Sequence, residues 1–198
     1  MRWDNLFDDL ESQLEQELSA DEIDLQAEEE RLRLGRLSMR DRITAMRDSG
    51  GIRGPLRVVL SCGMAVAVRP KTVGKDWISG DLVDESRRES QCIIPVIAIA
   101  SLMLSREQVA DSLDPSVGQE RANGLSERLG LGFVLRDLCR RRRAIDVQLS
   151  SALVHGTIDR VGRDHLDLAI HDAGTPRREG AVTQYRVVPF DQIQLVRV

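Results

Sequence analysis

The last quarter of the chain holds the main concentration of residues that could do acid–base or metal chemistry. Imidazoles and carboxylates transfer protons and bind metal ions. His165, Asp167 and His171 are spaced to share one outward face of a strand. Solvated polar side chains explain this pattern more simply than a reaction centre, so we predict no catalytic residue, no metal and no cofactor. The residues concerned are His155, His165, His171, Asp159, Asp164, Asp167 and Asp172.

A run of four arginines is the densest basic segment. Arg140, Arg141, Arg142 and Arg143 follow an apolar helical pattern, and Arg163 lies not far downstream. Guanidinium groups at a helix C-terminus interact favourably with the helix dipole, but a cluster of them can also hold phosphates. Tyr185 and Trp77 are the main aromatics for stacking on bases. Helix capping is therefore favoured, and contact with a nucleic acid or anion is the alternative.

Motifs of known enzymes are missing from the sequence. We find no glycine-rich phosphate loop, no nucleophile elbow and no cysteine–histidine dyad. Cys62, Cys92 and Cys139 have no CxxC spacing, which argues against a disulfide framework or a zinc site. They are expected to be small buried or half-buried apolar residues. We predict that the protein is not an enzyme.

The charge of the chain is unevenly distributed. Residues 1–30 carry twelve acids and one arginine, a net charge of −11, whereas the remainder carries +7. Within the acidic segment, apolar residues at helical spacing predict one face of an amphipathic helix that needs a partner. This partner-binding face is formed by Trp3, Leu6, Phe7, Leu10 and Leu14. Leu18, Leu25 and Leu32 recur every seven residues, a spacing that is compatible with either a helical hairpin or a coiled-coil dimer.

Composition predicts a cytoplasmic protein with an aliphatic core. Hydrophobic residues make up 41% of the 198 residues, but aromatics only 3%. The sequence has no charged and apolar leader and no apolar run near the roughly 20 residues of a membrane-spanning helix. We therefore expect no membrane partner.

Secondary structure is predicted to alternate between helical and extended regions. Ser19 to Glu22 form a capping box, which predicts a helix from there to about Arg33, ended by Gly35. A third helix is expected from Ser38 to Ser49. Strands are predicted over 56–61, 64–69, 77–83 and 92–100, helices over 105–113, 117–129 and 132–140, and strands again over 145–198.

The two extended regions read as copies of one unit. The segment Val73 to Ile78 matches Val161 to Leu166, 88 residues later, in the order Val, Gly, cation, Asp, ring, aliphatic. A Val-Gly-cation-Asp sequence is typical of a tight turn between strands. Downstream, a Pro followed four residues later by Ile recurs, and we expect it to end an edge strand. The sequence thus predicts a duplicated unit of bent strands preceded by a helix.

The second copy is similar to Sm-like barrels. The likeness rests on the helix of residues 132–140, the Gly-x-aliphatic segment at Gly156, the Val161 to Leu168 motif and the final Pro189 to Ile193 strand. It covers about a quarter of the chain and implies a five-stranded SH3-like barrel. The Asp-x-x-x-Asn run and the Arg-Gly or Lys-His pair of RNA-binding members are absent, so no RNA pocket is implied. The whole sequence resembles a group of uncharacterised actinobacterial proteins.

We therefore predict an α+β protein: an N-terminal helical arm followed by two small SH3-like (Sm-like) β-barrel units with a helical linker. The arm spans 1–48, the first barrel 52–104, the basic linker 105–143 and the second barrel 144–198. The predicted function is that of a cytoplasmic adaptor, binding a protein partner through the arm and the barrel surfaces. The alternative is an RNA- or DNA-binding regulator. The sequence is also compatible with a homo-oligomer.

Overall fold

The structure is a computed structural model that describes residues 22–49, 54–83, 90–114, 124–175 and 177–198. The predicted partner-binding residues Trp3, Leu6, Phe7, Leu10 and Leu14 lie outside the described residues, as does Leu18. The chain divides into two compact units, one ending at Met39 and the other running from Arg40 to Val198.

The first unit contains helix α1, described over residues 22–36. Ion pairs three residues apart support it, Arg31 with Glu28 and Arg33 with Glu30. The helix continues through Gly35, which was expected to end it, and stops one residue later. Its apolar residues Leu25 and Leu32 are exposed.

The second unit contains helices α2 to α5 and strands β1 to β10. The helices are α2 (Met39–Asp48), α3 (Arg106–Leu113), α4 (Leu125–Arg128) and α5 (Leu131–Arg140). The first five strands are β1 (Leu56–Leu60), β2 (Ala65–Val73), β3 (Trp77–Leu82), β4 (Ser90–Pro95) and β5 (Ile99–Met103). The last five are β6 (Ala144–Leu149), β7 (Leu153–Val161), β8 (His165–Ile170), β9 (Gln184–Pro189) and β10 (Ile193–Arg197).

All ten strands form one antiparallel sheet, in the order β5-β1-β2-β3-β4-β10-β6-β7-β8-β9. The predicted mixed α+β class is confirmed. Two separate closed barrels are not confirmed, because the sheet is open at β5 and at β9. The physical reason is that β10 pairs with β6 on one side and with β4 on the other, so the two halves continue as one sheet.

Several predicted elements differ in their bounds. The single strand expected over 92–100 is divided: β4 ends at Pro95, a 3-10 turn covers Val96–Ala98, and β5 follows. Pro95 ends a central strand rather than an edge strand, and Pro189 ends the edge strand β9. Both prolines occupy the last position of their strand, where a missing N–H costs little. Of the helix expected over 117–129, residues 117–123 lie outside the described residues.

Each half of the sheet has an aliphatic core. One cluster centres on Ile43, Val58 and Ile78, the other on Leu135, Ile158 and Leu168. The clusters interlock, because Leu195 of β10 belongs to the first while Trp77 of β3 belongs to the second. Trp77 is the one aromatic among the buried apolar residues of the described ranges, in keeping with the composition.

The two halves pair their strands in corresponding registers. Val68 faces Leu82 between β2 and β3, and Gly156 faces Ile170 between β7 and β8. Each residue of the second pair lies 88 positions after its counterpart in the first pair. The turns that follow have matching bonds: the N–H of Gly74 donates to the carbonyl of Trp77, and the N–H of Gly162 to that of His165, both at 2.8 Å.

Candidate functional site

The histidines divide into a contacting pair, buried His171 and half-buried His155, and a third residue, His165, at the start of β8. His171 follows the end of β8 and is 3% exposed, so its expected place on an outward strand face is wrong. Its Nε2 lies 2.9 Å from Thr157 Oγ1, and its ring meets the ring of His155 edge to face at 5.2 Å. His155 Nδ1 lies 2.6 Å from Asp146 Oδ1. This cluster holds β7 to the end of β8.

His165 is the first residue of β8, next to the turn that joins β7 to β8. Its ring covers Gly162, where an added Cβ would lie 2.6 Å from the ring. Its Nδ1 lies 2.8 Å from Asp164, and this bond lowers the pKa of that exposed carboxyl. Among the described residues, no group of three acidic, histidine or cysteine side chains could hold a metal ion.

Two of the four consecutive arginines share one carboxylate. Arg140 and Arg141 both bind Asp137, one turn earlier on α5. Burial acts to raise the pKa of Asp137, but the hydrogen bonds from these guanidinium groups outweigh it and lower that pKa. The pairs are largely exposed, so their contribution to stability is small.

The rest of the basic set is dispersed. Arg142 has a left-handed backbone, with φ of 52°, and turns toward Asp159, which also binds Arg177. Within the described ranges, Arg143 and Arg163 have no carboxylate partner. Of the predicted anion-contact residues, Arg141 and Arg143 line one cavity, whereas Arg163 lines a separate groove.

The aromatic residues are also poorly placed for stacking on bases. Trp77 is 5% exposed, and its Nε1 donates to the carbonyl of Leu129 at 2.9 Å. Its ring lies against Gly74, where a Cβ would come within 2.2 Å of it. Tyr185 is exposed on β9, but far along the sheet from the first half.

A cavity of about 330 Å³ lies where α5 covers β3 and β4. Trp77, Ile93 and Leu138 form its apolar wall. Among its charged groups, Lys71 pairs with Asp81 at 2.7 Å and Arg141 with Asp137, whereas Arg143 lines the cavity without a carboxylate partner in the described ranges. Cys92 also lines it, and burial raises the pKa of this thiol to about 12. The thiol is therefore not an activated nucleophile, and Arg143 leaves the cavity with an unpaired positive charge.

The most distinctive surface feature is the pair of open sheet edges. Within the described part of the chain, no strand pairs with the outer edge of β5 or of β9. β9 exposes Val187 (69%) and Tyr185 (58%), and β5 exposes Met103 (51%). Single exposed apolar residues are normal, but a row of them along an unpaired edge is a template for another strand.

Backbone geometry turns the N–H and C=O of one residue outward at the centre of the β9 edge. The N–H of Phe190 donates to the carbonyl of Asp164 at 2.8 Å, which makes Pro189 and His165 a pair without mutual hydrogen bonds. Because the pattern alternates in antiparallel sheets, the pair of Val187 and Asp167 is of the same kind. The N–H and C=O of Val187 therefore point away from β8.

The junction between β4 and β10 shows how such an edge is filled. Ile93 faces Val196 and Cys92 faces Arg197, and the N–H of Val198 donates to the carbonyl of Gln91 at 2.9 Å. Ile93 is 5% and Val196 0% exposed.

A side-chain amide secures this junction. Gln194 on β10 accepts a hydrogen bond from the N–H of Cys62 in the first half, and donates to Ser150 Oγ in the second, both at 3.2 Å. Gln194 is itself buried. At this junction the two halves are thus joined by main-chain bonds, apolar packing and the amide of Gln194.

The open edges are the features that sequence reasoning missed. The sequence signal for the β9 edge is the alternation of Tyr185, Val187 and Pro189. These residues share one face of the strand, and that face is exposed although its side chains are largely apolar. No described helix is long and apolar enough to cross a membrane. The chain matches no protein-family model, no curated protein and no solved structure.

Proposed function

We propose that the chain is a non-enzymatic adaptor that binds a protein partner at the outer edges of β5 and β9. The observation that carries this proposal is the unpaired edge of β9, where the N–H and C=O of Val187 point outward and the side chains of Tyr185 and Val187 are exposed. An extended segment that adds to such an edge gains main-chain hydrogen bonds for affinity, and side-chain contacts for specificity. The sheet is held by two packed cores, so the edges are preorganised.

We also propose that the two halves are copies of one small Sm-like unit. Three observations support this. The strand order is the same in β5-β1-β2-β3-β4 and in β10-β6-β7-β8-β9. The registers correspond, and a bulge follows Pro70 in β2 and Ile158 in β7, again 88 residues apart. A helix precedes each half and contributes a fully buried residue, Ile43 or Leu135.

The N-terminal arm is proposed to add a second contact. Leu25 and Leu32, seven residues apart, are exposed on α1 among acidic residues. An apolar stripe flanked by acids suits an apolar partner surface with a basic rim. The three cysteines are unpaired, as expected in the reducing cytoplasm, where we propose that the protein acts.

A nucleic-acid-binding regulator is the second candidate, favoured by Arg143 and Arg163, which lack carboxylate partners in the described ranges. Fluorescence anisotropy with a labelled RNA and a labelled DNA at low salt tests it, because a phosphate contact is strongest there. The adaptor proposal predicts no binding to either probe. Tight binding that weakens steeply with salt and is lost in Arg143→Glu would favour the second candidate instead.

Site-specific photo-crosslinking in cells tests the adaptor proposal. Benzoylphenylalanine replaces Tyr185 at the β9 edge or, as a matched control, Phe133, an equally exposed aromatic on α5. We expect a discrete adduct with one protein from position 185, and none from position 133. Adducts of equal yield at both positions, or none at 185, would refute the proposal. Mass spectrometry of the adduct identifies the partner.

A further inference from the structure

We infer that the partner at these edges is a second copy of this chain, with the outer edge of β9 in one copy pairing with the outer edge of β5 in the next. This inference rests on the proposed function, because it uses the same edges. It is carried by the junction between β4 and β10, which supplies a complete template for the contact.

The template fixes the register of the new pairing. Pro95 and Pro189 end β4 and β9, while Ile99 and Ile193 begin β5 and β10, both 94 residues apart. The same offset relates Ile93 to Val187, and Leu102 to Val196. Since Ile93 faces Val196, Val187 should face Leu102 of the next copy.

The neighbouring pair follows from the same rule. Cys92 faces Arg197 at the internal junction, and the corresponding residues are Arg186 and Met103. A sulfur-containing side chain would again face an arginine, but here the arginine lies on β9, the counterpart of β4, and the sulfur on β5, the counterpart of β10. The outward N–H of Val187 would donate to the carbonyl of Leu102, and the N–H of Leu102 to the carbonyl of Val187.

Exposure shows that the second half lacks the cover that the first half has. Trp77 and Ile93 lie under α5, the helix that precedes β6. The corresponding residues, His165 and Val187, instead line an open groove of about 580 Å³. In the inferred assembly α2, which precedes β1, would bring its outer face to this groove from the next copy.

The contact is head to tail, because two different edges of the chain meet in it. Such contacts form rings if the rotation closes, and filaments if it does not. Gln194, which secures the internal junction, corresponds to Ala100. The contact between copies therefore lacks this amide, and should be weaker and dependent on concentration.

Two complementary variants of the full chain test the inference. Val187→Pro removes the outward N–H of β9, and Leu102→Pro does the same for β5, without removing a bond to the neighbouring strand of the same chain. Each variant keeps one functional edge. In sedimentation velocity we expect the wild type to form species larger than a dimer as its concentration rises. Each variant alone should stay monomeric, and their equimolar mixture should form a heterodimer.

The mixture distinguishes a blocked edge from a misfolded chain, because a misfolded variant would not recover binding. Val187→Thr, which keeps the N–H and the branched Cβ, should assemble like the wild type. A wild type that is monomeric at all concentrations, or a mixture that stays monomeric, would overturn the inference. A specific adduct from position 185 with a different protein would then leave the adaptor proposal standing.

Register is tested by disulfide formation between copies. A chain with Arg186→Cys mixed with a chain with Met103→Cys should form a disulfide-linked dimer under mild oxidation, since non-bonded antiparallel pairs bring Cα atoms to about 4.5 Å. Arg186→Cys with Leu102→Cys is the control, because a slip of one residue puts the side chains on opposite faces. Equal yields from the two combinations would contradict the register.

Discussion

Asp76 Oδ1 accepts a hydrogen bond from the backbone N–H of Leu131 at 2.7 Å. This bond joins the turn between β2 and β3 to the first residue of α5. Gly130, which precedes the helix, has no side chain to cap it. Asp76 therefore acts as the missing cap from 55 residues away, and it fixes α5 over the first half of the sheet.

Loss of this cap should destabilise the protein. We expect Asp76→Ala to lower the free energy of unfolding by about 1 kcal/mol, as for other helix caps. Urea denaturation followed by circular dichroism measures the change. Asp164→Ala is the matched control: it corresponds to Asp76 in the second half, but its side chain is exposed and its side-chain partner within the described residues is the adjacent His165. An equal loss from both substitutions would contradict the capping role.

Close packing of glycine against a neighbouring strand predicts a larger effect. A Cβ added at Gly80 would lie 2.0 Å from the carbonyl oxygen of Arg69, and one at Gly156 would lie 2.3 Å from that of Ala169. Because main chain cannot yield as a side chain can, either Gly→Ala change should cost about 1–3 kcal/mol. Gly180→Ala, with open space around the added Cβ, is the control. Thermal unfolding of the three variants decides the matter.

Two threonine-to-valine substitutions should have opposite outcomes. Thr157→Val removes the hydroxyl that lies 2.9 Å from His171 Nε2, leaving a buried ring nitrogen unpaired, and should cost about 1–3 kcal/mol. Thr44 Oγ1 is buried without a hydrogen-bond partner in the described structure. Thr44→Val should therefore be neutral or stabilising. Urea denaturation of both variants tests this, and a loss of stability in Thr44→Val would contradict the second part.

Burial makes Cys92 unreactive. Desolvation raises the pKa of its thiol from 9.0 to about 12, whereas Cys62 and Cys139 are only partly buried. A thiol reagent at pH 8 should modify at most two cysteines in the native chain, and three in denaturant. Because the folded state holds this proton more tightly, its contribution to stability is complete below pH 9 and is lost as the pH rises toward 12. Rapid native modification of Cys92 would show that the core around it opens.

Local sequence patterns predicted much of the fold. The periodicity of Val147 to Leu149 and of Leu166 to Ile170 located strands correctly, and the segment after Gly130 gave α5 within one residue. These patterns depend on neighbours along the chain, which a sequence displays directly. The division of residues 92–100 into β4, a 3-10 turn and β5 was missed, because both strands share one apolar run.

Long-range pairing decided what the sequence could not show. Nothing local indicates that β4 pairs with β10, so the sequence favoured two closed units over one open sheet. The burial of His171 was missed because it lies just past the end of β8, where alternation no longer applies. The open edges were not predicted either, because whether a strand lies at an edge depends on which distant strands pair with it.

Hydrogen exchange at single amides tests the central claim most directly, namely that the outer edges of β5 and β9 pair between copies of the chain as β4 and β10 pair within it. The N–H of Val198, bonded within the chain to Gln91, is the internal reference. At high protein concentration, we predict slow exchange at Val187 and Leu102, which accelerates on dilution while the reference stays unchanged. Fast exchange at both edge amides at every concentration would contradict pairing between copies at these edges.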